Sequence, residues 1–399
     1  MEPTEAVEHD WPYLLSFLPQ EEVLEETARR WGAIRRKRAI DSASTLLRLA
    51  LVYGFCGSSL RQTAAWAEAA EVASLSDVAL LKRFRSAAPW LGHLLGLKLV
   101  ERLGPEGAAC PSVRLIDATT VNAPGSKGTD WRIHLDLDLA SSTISEVQVT
   151  PAEGGETFLR YAFDPGELVI ADRGYSLRPG LAHVVEAGAD FIVRLNWASV
   201  PLQARGGEEW DLLAELRRLP EAQPGVFELE VKPDPKEAPE AIPVRLVALR
   251  KSEAAAEETR RKLLKDASKR RRKLQPQTLE LAGYVLVLTS TPAEAFSPHE
   301  ILELYRCRWQ IEMTFKRLKS LIALDTLPAK DPALARTFLY SKLLAALLVE
   351  DLMSKYLAFS PWGYRLHRAA SFHLAHSAGT PPEPGLRHPR SDPSLRVDP

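Results

Sequence analysis

The stretch SVRLIDATTV, residues 112–121, is where the chain stops reading as helix. Val113, Leu115, Ile116 and Val121 predict a buried strand, yet Asp117 stands in the middle of it. A carboxylate inside an apolar strand needs a partner, because burying an isolated charge is costly. A divalent cation is one such partner; a turn or a backbone hydrogen bond is the other. Downstream, WRIHLDLDL (131–139) alternates strictly, and TISEVQVTPA (143–152) follows a Ser-rich turn. ELVIADRGYS (167–176) is a short apolar strand closed by a second acid, Asp172, and a Gly-containing turn. Pro179 to Gly188 suits a helix and DFIVRLN (190–196) a further strand. Three consecutive strands with hairpin connections, then strands alternating with helices, predict a mixed α/β core.

Outward from this core, residues 1–105 read as a helical domain rich in Ala, Leu and Arg, with breaks expected at Gly54, Gly57, Pro89 and GPEG (104–107). Within it, residues 59–87 predict a helix from about Leu60, a break near Ala73 and a second helix capped by Ser76 that carries Lys82, Arg83 and Arg85. That pair is either a helix-turn-helix reader of DNA or ordinary helical packing. The core's first part spans 106–196. Residues 197–283 form a Pro- and charge-rich insertion with strand-like VFELEVKP and IPVRLVALR. Residues 284–360 resume the core with YVLVLTS and end in helices, and 361–399 are Pro-rich, polar and read as a disordered tail.

The helix at 304–320, LYRCRWQIEMTFKRLKS, is specified at its start by Ser297, Pro298 and Glu300 as cap, first-turn proline and capping-box partner. At 3.6 residues per turn Tyr305, Arg308, Glu312 and Lys319 fall within an arc of roughly 60°. Beside them runs an apolar face of Leu304, Cys307, Ile311, Phe315, Leu318 and Ile322. Helix pairing at i, i+4 accounts for Arg308 with Glu312 and Glu312 with Lys316 at about 0.2–0.5 kcal/mol each. It leaves Tyr305, Lys319 and the strand acids unexplained. A polyanionic ligand over a bound metal would use the whole stripe.

Net charge is −1 over 399 residues, so composition alone gives no reason to expect nucleic acid. Basic residues cluster locally, in RRWGAIRRKRA (29–39) and in RRKLLKDASKRRRK (260–273), the second including Lys269, Arg270, Arg271 and Arg272. Such a run is either a solvated helix face or a track for a phosphate backbone. Cys56, Cys110 and Cys307 have no paired spacing, so neither a disulfide framework nor a thiolate metal site is predicted. The acidic start MEPTEAVEHDWPYLL lacks the order of a secretory signal, and no apolar run approaches a membrane span. The expectation is a cytoplasmic protein with no membrane partner.

Asp117, the DRGY at 172–175 and the spaced set Tyr305, Arg308, Glu312 and Lys319 together resemble the DDE transposases of the insertion sequence 4 family, over roughly residues 40–360. The resemblance implies a ribonuclease-H-like catalytic core and a bacterial, cytoplasmic setting. It implies that Asp117, Asp172 and Glu312 are catalytic and hold two Mg²⁺ or Mn²⁺ ions, hard cations that prefer carboxylate oxygens. Tyr305, Arg308 and Lys319 would bind phosphates beside the cut, Tyr284 would stack a flipped base, and Arg173 and Trp309 would lie near the DNA. His134 reads as structural, since the acids already supply a hard-oxygen site. The N-terminal helices would bind double-stranded DNA at terminal inverted repeats, and the basic helix would track the backbone. Cleavage, hairpin formation and joining to target DNA would occur in a synaptic homodimer. The rivals are an endonuclease of the same fold that never joins ends, an inactive relative acting as a DNA-binding protein or inhibitor, and a two-carboxylate glycosidase, which offers no purpose for Arg308 and Lys319.

Overall fold

A computed structural model describes residues 11–103, 113–126, 128–139, 143–236 and 238–356. Cys110 and the predicted tail at 361–399 lie outside the described residues.

The run opened by SVRLIDATTV is β1 (Val113–Val121), followed by β2 (Trp131–Asp138) and β3 (Thr143–Pro151), which form an antiparallel meander. After β4 (Leu168–Ala171), α-helix Arg178–Glu186 crosses to β5 (Asp190–Arg194), and β4 pairs in parallel with both β1 and β5. The order β3-β2-β1-β4-β5, with only β2 reversed beside β1, is the ribonuclease-H-like arrangement. The block between 197 and 283 adds β6 (Leu202–Ala204), β7 (Pro224–Val231) and β8 (Ile242–Arg250) to the same sheet, joined through β9 (Tyr284–Thr289), which lies against β5. One nine-stranded sheet therefore runs through both regions.

Side chains of a strand point alternately to opposite faces, and this separates two cores. Leu115, Ile133, Leu135, Ile170, Ile192, Val247 and Val287 point to one side. Ile116, Val169, Ala171, Phe191, Leu246 and Leu288 point to the other, against the helix after β4. On the first side lie α1 (Glu21–Arg30), α2 (Ala43–Phe55), α3 (Leu60–Ala69) and α4 (Asp77–Leu103), with their apolar residues in the same core. Numbered on, the helix after β4 is α5, and the outer block holds α6 (Leu212–Arg217), α7 (Glu253–Lys269) and α8 (Pro276–Leu281). The first core is completed by α9 (Pro298–Cys307), α10 (Trp309–Ile322) and α11 (Pro332–Tyr356).

Three expectations are corrected here. Gly54 lies inside α2 rather than breaking it, because its lack of a side chain lets α2 close on α11: a Cβ there would come within 2.5 Å of Ser341 Cβ. Pro89 lies inside α4, where fully buried Trp90, Leu91 and Leu94 compensate for the lost helical hydrogen bond. Residues 332–353 are, by length and composition, apolar enough to cross a membrane, yet 72% of that segment is buried in the fold, against α2 and α4. The second helix of the pair at 59–87, which the sequence leaves open between DNA reading and helical packing, is long. It runs 27 residues through the core; Arg83 donates to the carbonyls of Ala33 and Arg36, and Arg85 pairs with Asp331 at 2.8 Å.

Candidate active site

Ladder register places the two strand acids. Ile116 pairs with Ala171 across the parallel β1 and β4, so the next residues, Asp117 and Asp172, stand side by side. Each shares the parity of its apolar neighbours Leu115 and Ile170, so both face the helical side of the sheet. Asp172 caps the turn after β4, its Oδ1 accepting from Gly174 N at 2.7 Å, and Asp117 Oδ1 accepts from Ala118 N at 2.8 Å. Burial, followed by the charge of Asp172, pushes the Asp117 carboxyl up to about 7. Two like charges side by side disfavour ionisation.

The opposite wall is α10. A cleft of about 490 Å³ is lined by Asp117 and Thr119 from β1 and by Glu312, Phe315, Lys316 and Lys319 from α10. Ser297 caps α9 with a reciprocal capping box to Glu300, as its sequence predicts. The single helix expected over 304–320, however, is two. At Arg308 the backbone keeps helical angles (φ −53°, ψ −27°), but its N–H bonds to Tyr305 O, three residues back, and its carbonyl receives Ile311 N, three residues on. This tightened turn interrupts the stripe and leaves Arg308 at the joint. From there Arg308 reaches Glu312 at 2.5 Å and Asp117 at 3.9 Å, and its guanidinium lies 5.6 Å over the Tyr305 ring. Burial works against its charge, but Tyr305, Glu312 and Asp117 raise its pKa. Tyr305 is itself raised, chiefly by burial. One arginine thus ties the helix-borne glutamate to the strand-borne aspartate. Among the described residues no three His, Cys, Asp or Glu side chains converge on one point that could hold a metal ion.

Two buried cations anchor this wall. Arg245 on β8 donates to the carbonyls of Thr291, Pro292 and Phe296 and to Thr291 Oγ1, fastening the segment that leads into α9. Lys342 on α11 donates to the carbonyls of Ile322, the last residue of α10, and of Ala323, which ends the helix in the left-handed region at φ 47°. Burial lowers the Lys342 ammonium to about 8.

The remaining predicted residues are scattered. Trp309 opens α10 and is 56% exposed. Tyr284 is buried in the second core and lines a small cavity of about 50 Å³ with Arg173, Arg194 and Trp197. Arg173 is exposed and meets Asn196 at 3.4 Å. Lys269 ends α7, while Arg270, Arg271 and Arg272 belong to the turn beyond it, with Arg271 at φ 52°. Upstream cations of this run are matched within the helix, Arg260 by Glu253 and both Arg261 and Lys262 by Glu258. Only Arg270 of the terminal group forms an ion pair among the described residues, with Asp266. His134 is fully buried beside Ala118, with Nε2 3.0 Å from Thr150 Oγ1. Lys316, read only as a helix partner of Glu312, also lines the cleft, and Glu156, whose carboxylate lies with that of Asp172 beside Gly174, was not singled out. Lys316 carries the signal of its i, i+4 spacing from Glu312; Glu156 follows two glycines in a loop and carries none.

A family model described as "Transposase DDE domain" matches residues 108–348. InsL of insertion sequence element IS186A from Escherichia coli (strain K12) is 39% identical over 357 residues, covering 88% of this chain and 96% of that protein. The transposase for insertion sequence element IS421 from Escherichia coli is 39% identical over 358 residues with the same coverage. A cryo-EM structure of the piggyBac transposase synaptic complex with hairpin DNA aligns with 90% of this chain and 77% of that one at 10% identity, with a TM-score of 0.44, a likeness too slight to add to the topology.

Proposed function

Since the chain belongs to the DDE transposases of insertion sequences, in the insertion sequence 4 family, we propose that Asp117, Asp172 and Glu312 are its catalytic carboxylates. We propose also that it cuts and joins DNA at terminal inverted repeats. The observation that carries this reading is the pairing of Asp117 with Asp172 on adjacent parallel strands, facing a helix whose Glu312 shares the cleft of Asp117. Two neighbouring acids, of which Asp117 is raised to about 7 chiefly by burial, suit divalent cations held by hard oxygens. Asp117, Asp172 and Glu312 would hold two Mg²⁺ or Mn²⁺ ions, which when bound stabilise the attacking and leaving oxygens of an in-line displacement at phosphorus.

The chain's own groups do the rest. Arg308 bridges the two walls, hydrogen-bonded to Glu312 and 3.9 Å from Asp117, and a DNA phosphate entering the cleft offers its guanidinium a competing partner. Release of Arg308 frees both carboxylates. Lys319 and Lys316 line the same cleft and hold the phosphodiester on either side of the bond to be cut. Tyr305, packed under Arg308, limits where the guanidinium can swing. Trp309 and Arg173 are exposed and would contact the flanking duplex, and Lys269 to Arg272 would follow its backbone. Tyr284 is placed to meet a base only if the cavity it lines with Trp197 widens. A water attacks the phosphodiester at the element's end and the 3′-oxygen leaves as a free hydroxyl. That hydroxyl attacks a phosphodiester of the opposite strand, displacing the flanking DNA and closing a hairpin. A second water opens the hairpin, and the freed 3′-hydroxyl attacks target DNA, displacing a target 3′-oxygen, within a homodimer in the bacterial cytoplasm.

The test uses purified protein and labelled terminal-repeat duplex. Wild type should nick in Mg²⁺, while Glu312→Gln should bind the duplex with unchanged affinity and nick at no more than about 10⁻³ of the rate. Equal nicking by both proteins would overturn the assignment. Nicking without joining of a pre-cut end would reduce the enzyme to an endonuclease.

A further inference from the structure

Glu156 enters the site from the side opposite Glu312. It lies between β3 and β4, where its Oε1 accepts from Arg132 Nη1 at 3.0 Å. Arg132 sits on the β2 face shared with His134 and Asp136, away from the helical wall, and its Nε also donates to Ala152 O at 3.3 Å. The arginine therefore straps the loop carrying Glu156 to the sheet. The other carboxylate oxygen is turned toward Asp172. A Cβ built on Gly174 would overlap Glu156 Oε2 and would lie 3.1 Å from Asp172 Oδ1, so the two acids share the space that this glycine leaves open. Burial and then the charge of Asp172 raise the Glu156 carboxyl, and the charge of Glu156 in turn adds to the rise of Asp117. A third carboxylate against two others is unfavourable unless a cation offsets it, and Arg132 engages only one of its oxygens.

We propose that Glu156 is a positioning residue for the cation site. Packed on Gly174 and held by Arg132, it buttresses the turn that presents the Asp172 carboxylate toward Asp117, and it strengthens the negative potential that draws a divalent cation there. The inference rests on the carboxylate assignment proposed above. Outer carboxylates of this kind typically contribute 10–100-fold to metal affinity.

The test is a titration of the full chain with Mn²⁺, reading free ion by electron paramagnetic resonance, alongside metal-dependent nicking. Glu156→Gln should bind Mn²⁺ about tenfold more weakly. The Mn²⁺ concentration for half-maximal nicking should rise by the same factor, while the rate at saturating metal stays within about twofold. Glu156→Asp should recover part of the affinity. Gly174→Ala leaves Glu156 in the chain but displaces its carboxylate, so it should reproduce the weakening even where Glu156→Gln folds poorly. Wild-type affinity in folded Glu156→Gln or in Gly174→Ala would overturn the inference. If Asp172→Asn also binds Mn²⁺ as wild type does, or if wild type binds none, the carboxylate assignment falls with it. Loss of binding in Asp172→Asn beside unchanged binding in the Glu156 and Gly174 variants removes the role of Glu156 alone.

Discussion

The two walls of the cleft are built by different physics. Asp117 and Asp172 are delivered by β1 and β4, whose parallel ladder sets their spacing through the backbone and buries both roots between packed faces. Glu312 is delivered by α10, and its side chain is 47% exposed. Its position depends on a tightened turn at Arg308 and on two buried cations, Arg245 before α9 and Lys342 beyond α10. A ladder tolerates no half-step, since a shift of one residue turns a side chain to the other face. A helix held at its ends can rotate or slide slightly. The strand wall is thus the fixed reference, and the helix wall is the part free to adjust in the proposed exchange of carboxylates for phosphate at Arg308.

That contrast is open to direct test. Lengthening or shortening an acid by one methylene should matter far more on the strand than on the helix. Asp117→Glu has no room to retreat and should lower nicking about 10³-fold, whereas Glu312→Asp should lose only about tenfold. Comparable losses at the two positions, measured on the same duplex under saturating Mg²⁺, would erase the distinction. The anchoring of the helix wall is tested by Arg245→Met, which leaves the carbonyls of Thr291, Pro292 and Phe296 without their donor. An unsatisfied buried acceptor costs about 1–3 kcal/mol before relaxation, and Thr291 is the buried one of the three, so a loss of roughly 2 kcal/mol in urea unfolding is expected, together with slower nicking. An unchanged urea midpoint would mean that α9 and α10 are held by apolar packing alone.

The strand wall has its own sensitivity, to acid. His134 on β2 is held down to about 4, chiefly by burial and then by Arg160 and Arg132. The unfolded chain therefore binds a proton that the folded chain refuses between about pH 6.5 and 4. Stability contributed by the neutral ring is complete above that window and is lost as pH falls through it, by roughly 3 kcal/mol in all. Asp117 and Asp136, whose carboxyls are raised to about 7 and about 6 mainly by burial, act in the opposite sense over overlapping ranges. The informative quantity is the difference between wild type and His134→Leu. It should shrink on acidification from pH 6.5 to 4, and a difference independent of pH would remove His134 from the account.

Local pattern was enough for much of this molecule. The strands around Asp117 and Asp172, the Ser297 capping box and the apolar face of α10 were all legible, because alternation, caps and helical spacing are properties of neighbours in sequence. Breaks expected at Gly54 and Pro89 did not appear, since packing against α11 and inside the core overrides the preference of a single residue. The stripe from Tyr305 to Lys319 reads as one helix, and its division at Arg308, where the guanidinium meets Asp117 of β1, is not something a helical wheel contains. Glu156 was invisible for the same reason: its partners are Arg132, 24 residues away, and the turn after Asp172. Sequence determined which side chains could carry the chemistry and which face each would take. Which of them meet was decided by a parallel ladder joining residues 55 apart (Ile116 with Ala171) and by buried cations closing distant segments over it. Such contacts depend on the distances that folding closes.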